Sequence, residues 1–462
     1  MALTEENSTR PTSSRTLVQS VLLTFCSYLA FAGFSLLSGI LTARLLGPTG
    51  KGQLATISTL AILAGYLVSM GFDQAVIRVV ANGRAKWQEA VATVLVLYGL
   101  VCLIVLPAAA LLLTRYHARL FPDIPLSILY VALAIIPLRM VIVSLNGALA
   151  GHHRLPESIM LQSLQLVAGT LGMAILIWFW RFGVLGGIIA QTAGIAIGVV
   201  VALYLLRGMP AGRWQFQRHL LPEIYRFGRG CYAATIAQSL NWRLDTFLVF
   251  ALVGARSVGL YTVAVGLAEF PLYLPSSISV VLMPRVTGDA EGTEERTARL
   301  SRSTFFILLL AYGLLLLLGY PMIRCFYSSV FLPSYPAMVL LLPGLLAMGQ
   351  SRILSADIIG RGCPRYPAMA SWLSLTTMVA LDLLLIPHWG IQGAALACTT
   401  SYLAANLVVV LSFRHLTGIR LRELYCIHPQ EVRELLEKIP RLITARLHRS
   451  PDEVIEDPVS NI

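Results

Sequence analysis

Twelve apolar stretches divide the chain, each long enough to cross a hydrocarbon core of ~30 Å as a helix rising ~1.5 Å per residue. They fall at about 16–43, 53–72, 90–113, 127–150, 157–180, 184–206, 230–253, 258–283, 303–323, 335–357, 367–387 and 391–413. Backbone polar groups in lipid must be satisfied within the segment, so runs this long and uniform are expected to be helices. No ten-residue alternation of the kind that builds a membrane barrel is present. The pattern predicts an all-α polytopic membrane protein with about twelve transmembrane helices and both termini on the same side.

The polar positions inside these stretches carry more information than the apolar ones. Residues 238–261, QSLNWRLDTFLVFALVGARSVGLY, hold Asn241, Arg243 and Asp245 within an apolar run. By helical rise Arg243 lies roughly 21 Å beyond Arg229, the last charge before the run. An ionised group at that depth costs at least ~2.5 kcal/mol, so Arg243 and Asp245 are expected to face a wet cavity rather than lipid. Arg139 and Arg352 lie ~18 Å and ~12 Å from the glycines that end their spans, Gly151 and Gly360. Together the three arginines form a candidate cationic lining, suited to phosphate because the guanidinium fork donates paired hydrogen bonds and keeps its charge. The alternative is that each neutralises Asp245, Asp357 or Glu269, or reaches a headgroup.

Gln238, Asn241 and Asp245 share a helical face by their spacing, whereas Arg243 is offset from it. That polar stripe is expected to reach another span. Glu269 sits just before Pro271 and Pro275, where proline frees carbonyls and permits bending. Asp245 and Glu269 are candidates for ion coupling, with a static ion pair the open alternative. Asp382 and Asp357, near the outer and inner ends of their spans, are expected to meet water.

The two halves repeat at a constant offset of 207. Gly47 matches Gly254, Gly52 matches Gly259, Arg78 matches Arg285, Gly183 matches Gly390 and Gly186 matches Gly393. Six spans per half is an even number, so the halves form a parallel repeat, two six-helix lobes around a central cavity. In the repeated turn, LGPTGKGQL against VGARSVGLY, glycines five residues apart are expected to allow positive φ at both ends of a tight connector. Leu45 at the first glycine position and Gly52 at the last exclude a phosphate loop there. The organisation expected is an N-terminus over 1–15, an N-lobe over 16–206, an interlobe linker over 207–229, a C-lobe over 230–413 and a tail over 414–462. In the tail, Val432, Leu435, Leu436, Ile439, Leu442 and Ile443 predict a surface-lying amphipathic helix, with a soluble partner contact as the alternative.

Composition sharpens the class. The chain is 56% hydrophobic and 13% charged, with a mean hydropathy of +0.74. The net charge of +12 resides in short connectors, which orientation explains and which gives no reason to expect nucleic acid. Lys and Arg number 25 on the side of the termini and 7 on the other, which puts both termini in the cytoplasm and the protein in the cytoplasmic membrane. The seven cysteines lack CxxC spacing and read as packing residues. No Ser-His-Asp or HExxH arrangement is visible, so an enzyme, a metal site or a bound cofactor is not expected.

NWRLDTFLV, the following VGARSVGLYTVAVGLAEFPLYLPSSISVVLMPRV, and IPHWGIQGAALACTTSY resemble the polysaccharide-transport, or oligosaccharide flippase, family of the multidrug/oligosaccharidyl-lipid/polysaccharide exporter superfamily. The resemblance covers about residues 15–413. It implies two six-helix lobes around a V-shaped cavity and transport of a polyprenyl-pyrophosphate-linked glycan from the cytoplasmic to the outer leaflet. The cationic lining of Arg139, Arg243 and Arg352, with Gln238 and Asn241 beside it, agrees with that substrate. The lipid II flippase branch usually has fourteen spans, and drug exporters of the superfamily favour acidic sites. The other readings are an ion-coupled exporter of organic cations using Asp245 and Glu269, or a scaffold that binds other glycan-assembly proteins through its tail.

Overall fold

The computed structural model describes residues 14–425 apart from 153, 211 and 289–292. These residues are helical with no strand among them. The first half holds α1 (Ser14–Ser69), α2 (Phe72–Ala81), α3 (Trp87–Leu120), α4 (Leu126–Gly151), α5 (Leu155–Met173) and α6 (Gly183–Leu206). The second holds α7 (Leu221–Val253), α8 (Ala255–Ala268), α9 (Tyr273–Gly288), α10 (Thr293–Met322), α11 (Ser334–Gly360), α12 (Arg365–Thr417) and the short α13 (Leu421–Tyr425). Eight helices among the described residues are long and apolar enough to span a bilayer, or nine if α8 and α9, bent by 42°, count as one. Two runs, α1 of 56 residues and α12 of 53, each hold two expected spans and bend at Gly47 (φ 67°) and Gly390 (φ 55°). The architecture accommodates the twelve passes read from the sequence. The bend between α8 and α9 falls at a 3-10 turn, Phe270–Leu272, that contains Pro271.

The helices pack as two groups. In the first, α3, α4, α5 and α6 gather around α1; in the second, α11 packs on α9, α10 and α12, and α12 returns to α7. Leu103, Ile104 and Leu111 on α3, and Leu310 and Leu317 on α10, are all more than 70% exposed. Bare leucine and isoleucine on the outside of a helical bundle is the surface that lipid covers.

Between the groups, α1 meets α7, α8 and α9, and α2 meets α7. The tightest point is a reciprocal backbone seam. A Cβ on Gly52 would fall 1.7 Å from the Ala255 carbonyl oxygen, and one on Gly259 would fall 1.9 Å from that of Pro48. Pro48 and Ala255 are themselves one repeat offset apart, so the two contacts are images of each other. This corrects the expectation for the repeated turn. Gly47 (φ 67°) and Gly254 (φ 85°) do adopt positive φ, but Gly52 and Gly259 do not; they are glycines because two backbones meet there. The same end carries the Asp123 carboxylate, which accepts the Ala255 N–H at 3.1 Å. Arg44 donates there to the carbonyls of Phe326, at 2.7 Å, and Cys325. At the other, basic end Gly71 abuts the Gly228 carbonyl, and Glu223 accepts from Arg84 at 2.6 Å.

Two boundaries differ from expectation. α7 begins at Leu221, so the connector between the groups is shorter than 207–229, with Pro222 near the helix start where its missing N–H is harmless. α12 runs on to Thr417, and α13 folds back on α10: Leu424 is fully buried and the Tyr425 ring packs edge-on to Phe305 at 5.5 Å. The amphipathic positions Val432 to Ile443 lie outside the described residues.

Candidate functional site

The polar stripe of α7 turns into the second helix group. Asn241 and Asp245 are each only 5% exposed. The Asn241 side-chain amide donates to the Ala237 carbonyl at 2.9 Å and across to the Ser371 carbonyl of α12 at 2.8 Å. Asp245 accepts from the Tyr261 hydroxyl at 2.7 Å, from the Thr246 N–H at 2.6 Å and from the Cys398 thiol at 3.6 Å. Two residues along a helix is roughly 200° of rotation, so Arg243 points the other way and is exposed. One wet cavity holding both Arg243 and Asp245 is therefore not what forms: the charge pair is split across the helix.

Arg243 faces the first group. Arg139 of α4, half-buried against Gly65 of α1, lies within electrostatic range of it. Two guanidinium groups, one from each group, thus lie within electrostatic range of each other, and among the described residues neither forms an ion pair with a carboxylate. Glu269, at the end of α8, interacts electrostatically with Arg243, Arg352 and Asp245. It lines a cavity of about 180 Å³ between α1 and α8, together with Lys51, Thr262, Tyr273 and Tyr327.

Lys51 was not singled out by sequence reasoning, which placed it in a connector. It is only 8% exposed, and its ammonium donates to the Gly39 carbonyl at 2.9 Å and the Thr42 hydroxyl at 3.2 Å. The signal was the missing connector itself: a bend at a single glycine leaves residues 48–52 helical, and a lysine on that turn folds inward.

The two outlying aspartates do not meet water as expected. Asp382 is fully buried on α12, within electrostatic range of Asp245, and neither carboxylate oxygen has a hydrogen-bond partner among the described residues. Asp357 is also fully buried, accepts from Thr297 at 2.6 Å and pairs with Arg361. It is thus committed elsewhere and is not the counter-ion of Arg352.

Arg352 lies in a separate cavity of about 520 Å³ inside the second group, walled by α7, α9, α11 and α12. Gln238 and Asn241 line the same cavity. Its guanidinium donates to the Ser276 hydroxyl and sits over the Trp242 ring at 5.6 Å. The sequence candidates therefore divide into Arg139 and Arg243 between the groups, Glu269 at the same interface, Arg352 with Gln238 and Asn241 in the inner cavity, and Asp245 beside Asp382 in the core. Among the described residues no three His, Cys, Asp or Glu side chains converge as metal ligands.

Residues 17–288 match the family described as polysaccharide biosynthesis protein. An uncharacterized membrane protein of Methanocaldococcus jannaschii is 20% identical over 400 residues, covering 82% of this chain and 94% of that protein. Among solved structures, the lipid II flippase MurJ in an inward closed conformation superposes with a TM-score of 0.71 at 15% identity, over 89% of each chain. An inward-facing multidrug resistance MATE family transporter of the MOP superfamily gives 0.61 at 17% identity, over 88% of this chain and 96% of that one. The chain has the fold of that exporter superfamily.

Proposed function

The chain belongs to the polysaccharide biosynthesis protein family, and from that premise we propose that it is a flippase for a lipid-linked glycan. It carries a polyprenyl-pyrophosphate-linked oligosaccharide across the cytoplasmic membrane, for cell-surface polysaccharide synthesis, by alternating access. The observation that carries the reading is that Arg139 and Arg243 lie within electrostatic range of each other and neither forms a direct ion pair with a carboxylate among the described residues, Glu269 being the acidic group that acts on Arg243 from a distance. A pyrophosphate supplies the direct anionic contact that both lack, and its oxygens match the guanidinium fork. Because the arginines come from different helix groups, binding draws the groups together and release lets them part. A ligand shifts such an equilibrium only by its differential affinity for the two states, and a bridging dianion has one. The prenyl chain remains in lipid, and the fold shared with a protein named a lipid II flippase supports the same direction.

Ion coupling belongs to the second group. Asp245 is held by four donors from three residues, while Asp382 has none among the described residues. Burying an unpaired ionised carboxylate costs several kcal/mol, so the pair takes up a proton or one monovalent cation. Glu269 acts at the interface as the counter-charge that replaces the departing pyrophosphate at Arg243.

An exporter of organic cations is the second reading, favoured by the buried Asp245 and Asp382 and by the MATE-like fold. Those carboxylates lie inside one helix group, however, while the surface between the groups presents arginines. The basic end faces the cytoplasm. Translocation of a polyprenyl-pyrophosphate oligosaccharide by the purified protein in proteoliposomes tests the reading. Loss of one charge-assisted contact in Arg243→Ala should slow it about tenfold or more, and a scaffold acting through its tail would instead be insensitive.

A further inference from the structure

The cavity around Arg352 has its own chemistry, separate from the arginine pair. Its wall runs from Arg352 to Pro364 and Pro367 at the basic end of α11 and α12, so it is reached from that end. Its volume of about 520 Å³ falls within the range of small-molecule sites. Six serines stand in the wall, at 276, 279, 351, 355, 371 and 374.

What these hydroxyls offer is set by what they already donate to. Ser276 gives its proton to the Leu272 carbonyl, Ser279 to Pro275 and Ser371 to Pro367, each at 2.8 to 3.0 Å. Ser351 donates to the Asn406 side chain at 2.7 Å. A serine so engaged has only lone pairs left for a ligand. Asn241 is in the same condition: both its N–H groups are used, and its side-chain oxygen, in a residue 95% buried, has no partner among the described residues. Four of the six serines and Asn241 therefore present acceptors, beside one charged donor, Arg352, and one flat apolar face, the half-exposed Trp242 ring.

A ligand that satisfies this wall carries several O–H donors, one anionic acceptor for the guanidinium, and a ring whose C–H face lies on an indole. We propose that the cavity is a subsite for an acidic sugar, a uronic acid or similar carboxylated pyranose, of the transported glycan. This rests on the flippase reading and names the class of glycan it carries. An organic cation would find acceptors here but would meet Arg352, and a neutral sugar would give the guanidinium no direct anionic contact, Glu269 acting on it only from a distance. The division of labour is then spatial. The pyrophosphate bridges Arg139 and Arg243 while the glycan reaches sideways into the second group, with Glu269 separating the two cationic centres.

The test measures binding of D-glucuronate, D-glucose and tetraethylammonium to the full chain in nanodiscs. Wild type is expected to bind glucuronate at least about tenfold tighter than glucose, the size of one charge-assisted contact. Arg352→Gln should make the two sugars equal, and Trp242→Leu should weaken both alike. Equal binding of the sugars by wild type, or tetraethylammonium binding best, overturns the proposal. Flipping of a pyrophosphate lipid carrying a neutral glycan, measured in parallel in proteoliposomes, keeps the readings distinct. If it persists while glucuronate shows no preference, the subsite fails alone. If glucuronate binds as expected and no pyrophosphate lipid moves, the flippase reading fails.

Discussion

Adding one methyl group at Gly52 or Gly259 should unlock the end of the molecule opposite the basic one. The added carbon would stand 1.7 Å from the Ala255 oxygen in the first case and 1.9 Å from the Pro48 oxygen in the second. Ordinary close C···O contacts are about 3.3–3.6 Å, so the two backbones must part by roughly 1.5 Å. Neither partner is a side chain that can rotate away. The strain thus falls on the seam between the helix groups, and overpacking of this kind costs about 1–3 kcal/mol. At ~1.4 kcal/mol per factor of ten, that shifts the closed-to-open ratio by roughly 5- to 150-fold. Spin labels at residues 116 and 389, on the two groups, report the separation by pulsed electron resonance once the native cysteines are replaced. Gly52→Ala and Gly259→Ala should each move the distance distribution to longer values. Gly33→Ala, where a Cβ meets nothing within 4 Å, should leave it unchanged. Distances identical to wild type in both seam variants would refute the reasoning.

Other substitutions separate the roles assigned to the buried charges. Asp382→Asn should abolish the response of transport to an imposed proton or sodium gradient while leaving binding of the pyrophosphate lipid intact; a full response would remove Asp382 from coupling. Glu269→Gln should retain the pyrophosphate lipid more tightly and turn over more slowly, because Arg243 loses its alternative counter-charge; weaker retention would contradict the exchange. Arg361→Ala leaves Asp357 buried with only Thr297, and breaking a buried pair costs about 3 kcal/mol, so the detergent-solubilised protein should melt measurably lower. An unchanged melting temperature would mean that the Thr297 hydrogen bond suffices for Asp357 without the arginine.

The helical passes, the repeat and the sharp bends were legible because each has a strong local cause. Twenty apolar residues have few alternatives in a bilayer, and Gly47 and Gly254 take the positive φ expected of the repeated turn, with the repeat pair Gly183 and Gly390 doing the same. The destinations of side chains were not legible, because they depend on which helix lies opposite. Spacing placed Gln238, Asn241 and Asp245 on one face of α7, but only packing against α8 and α12 turns that face inward and sends Arg243 toward Arg139. Asp382 looked like a span-end residue by position and is buried because its face of α12 is turned into the group, within electrostatic range of Asp245 on α7. Gly52 and Gly259 looked like turn residues, and their real constraint comes from a backbone 207 positions away along the chain. Lys51 was hidden by the same bend.

The most direct test of the central claim follows a fluorescent polyprenyl-pyrophosphate oligosaccharide across proteoliposomes containing wild type, Arg139→Ala or Arg243→Ala, each confirmed folded and inserted. The account predicts that wild type flips the lipid and that both variants lose most of the rate. Normal rates in both variants, or no flipping by wild type alongside uptake of an organic cation under a proton gradient, would contradict it.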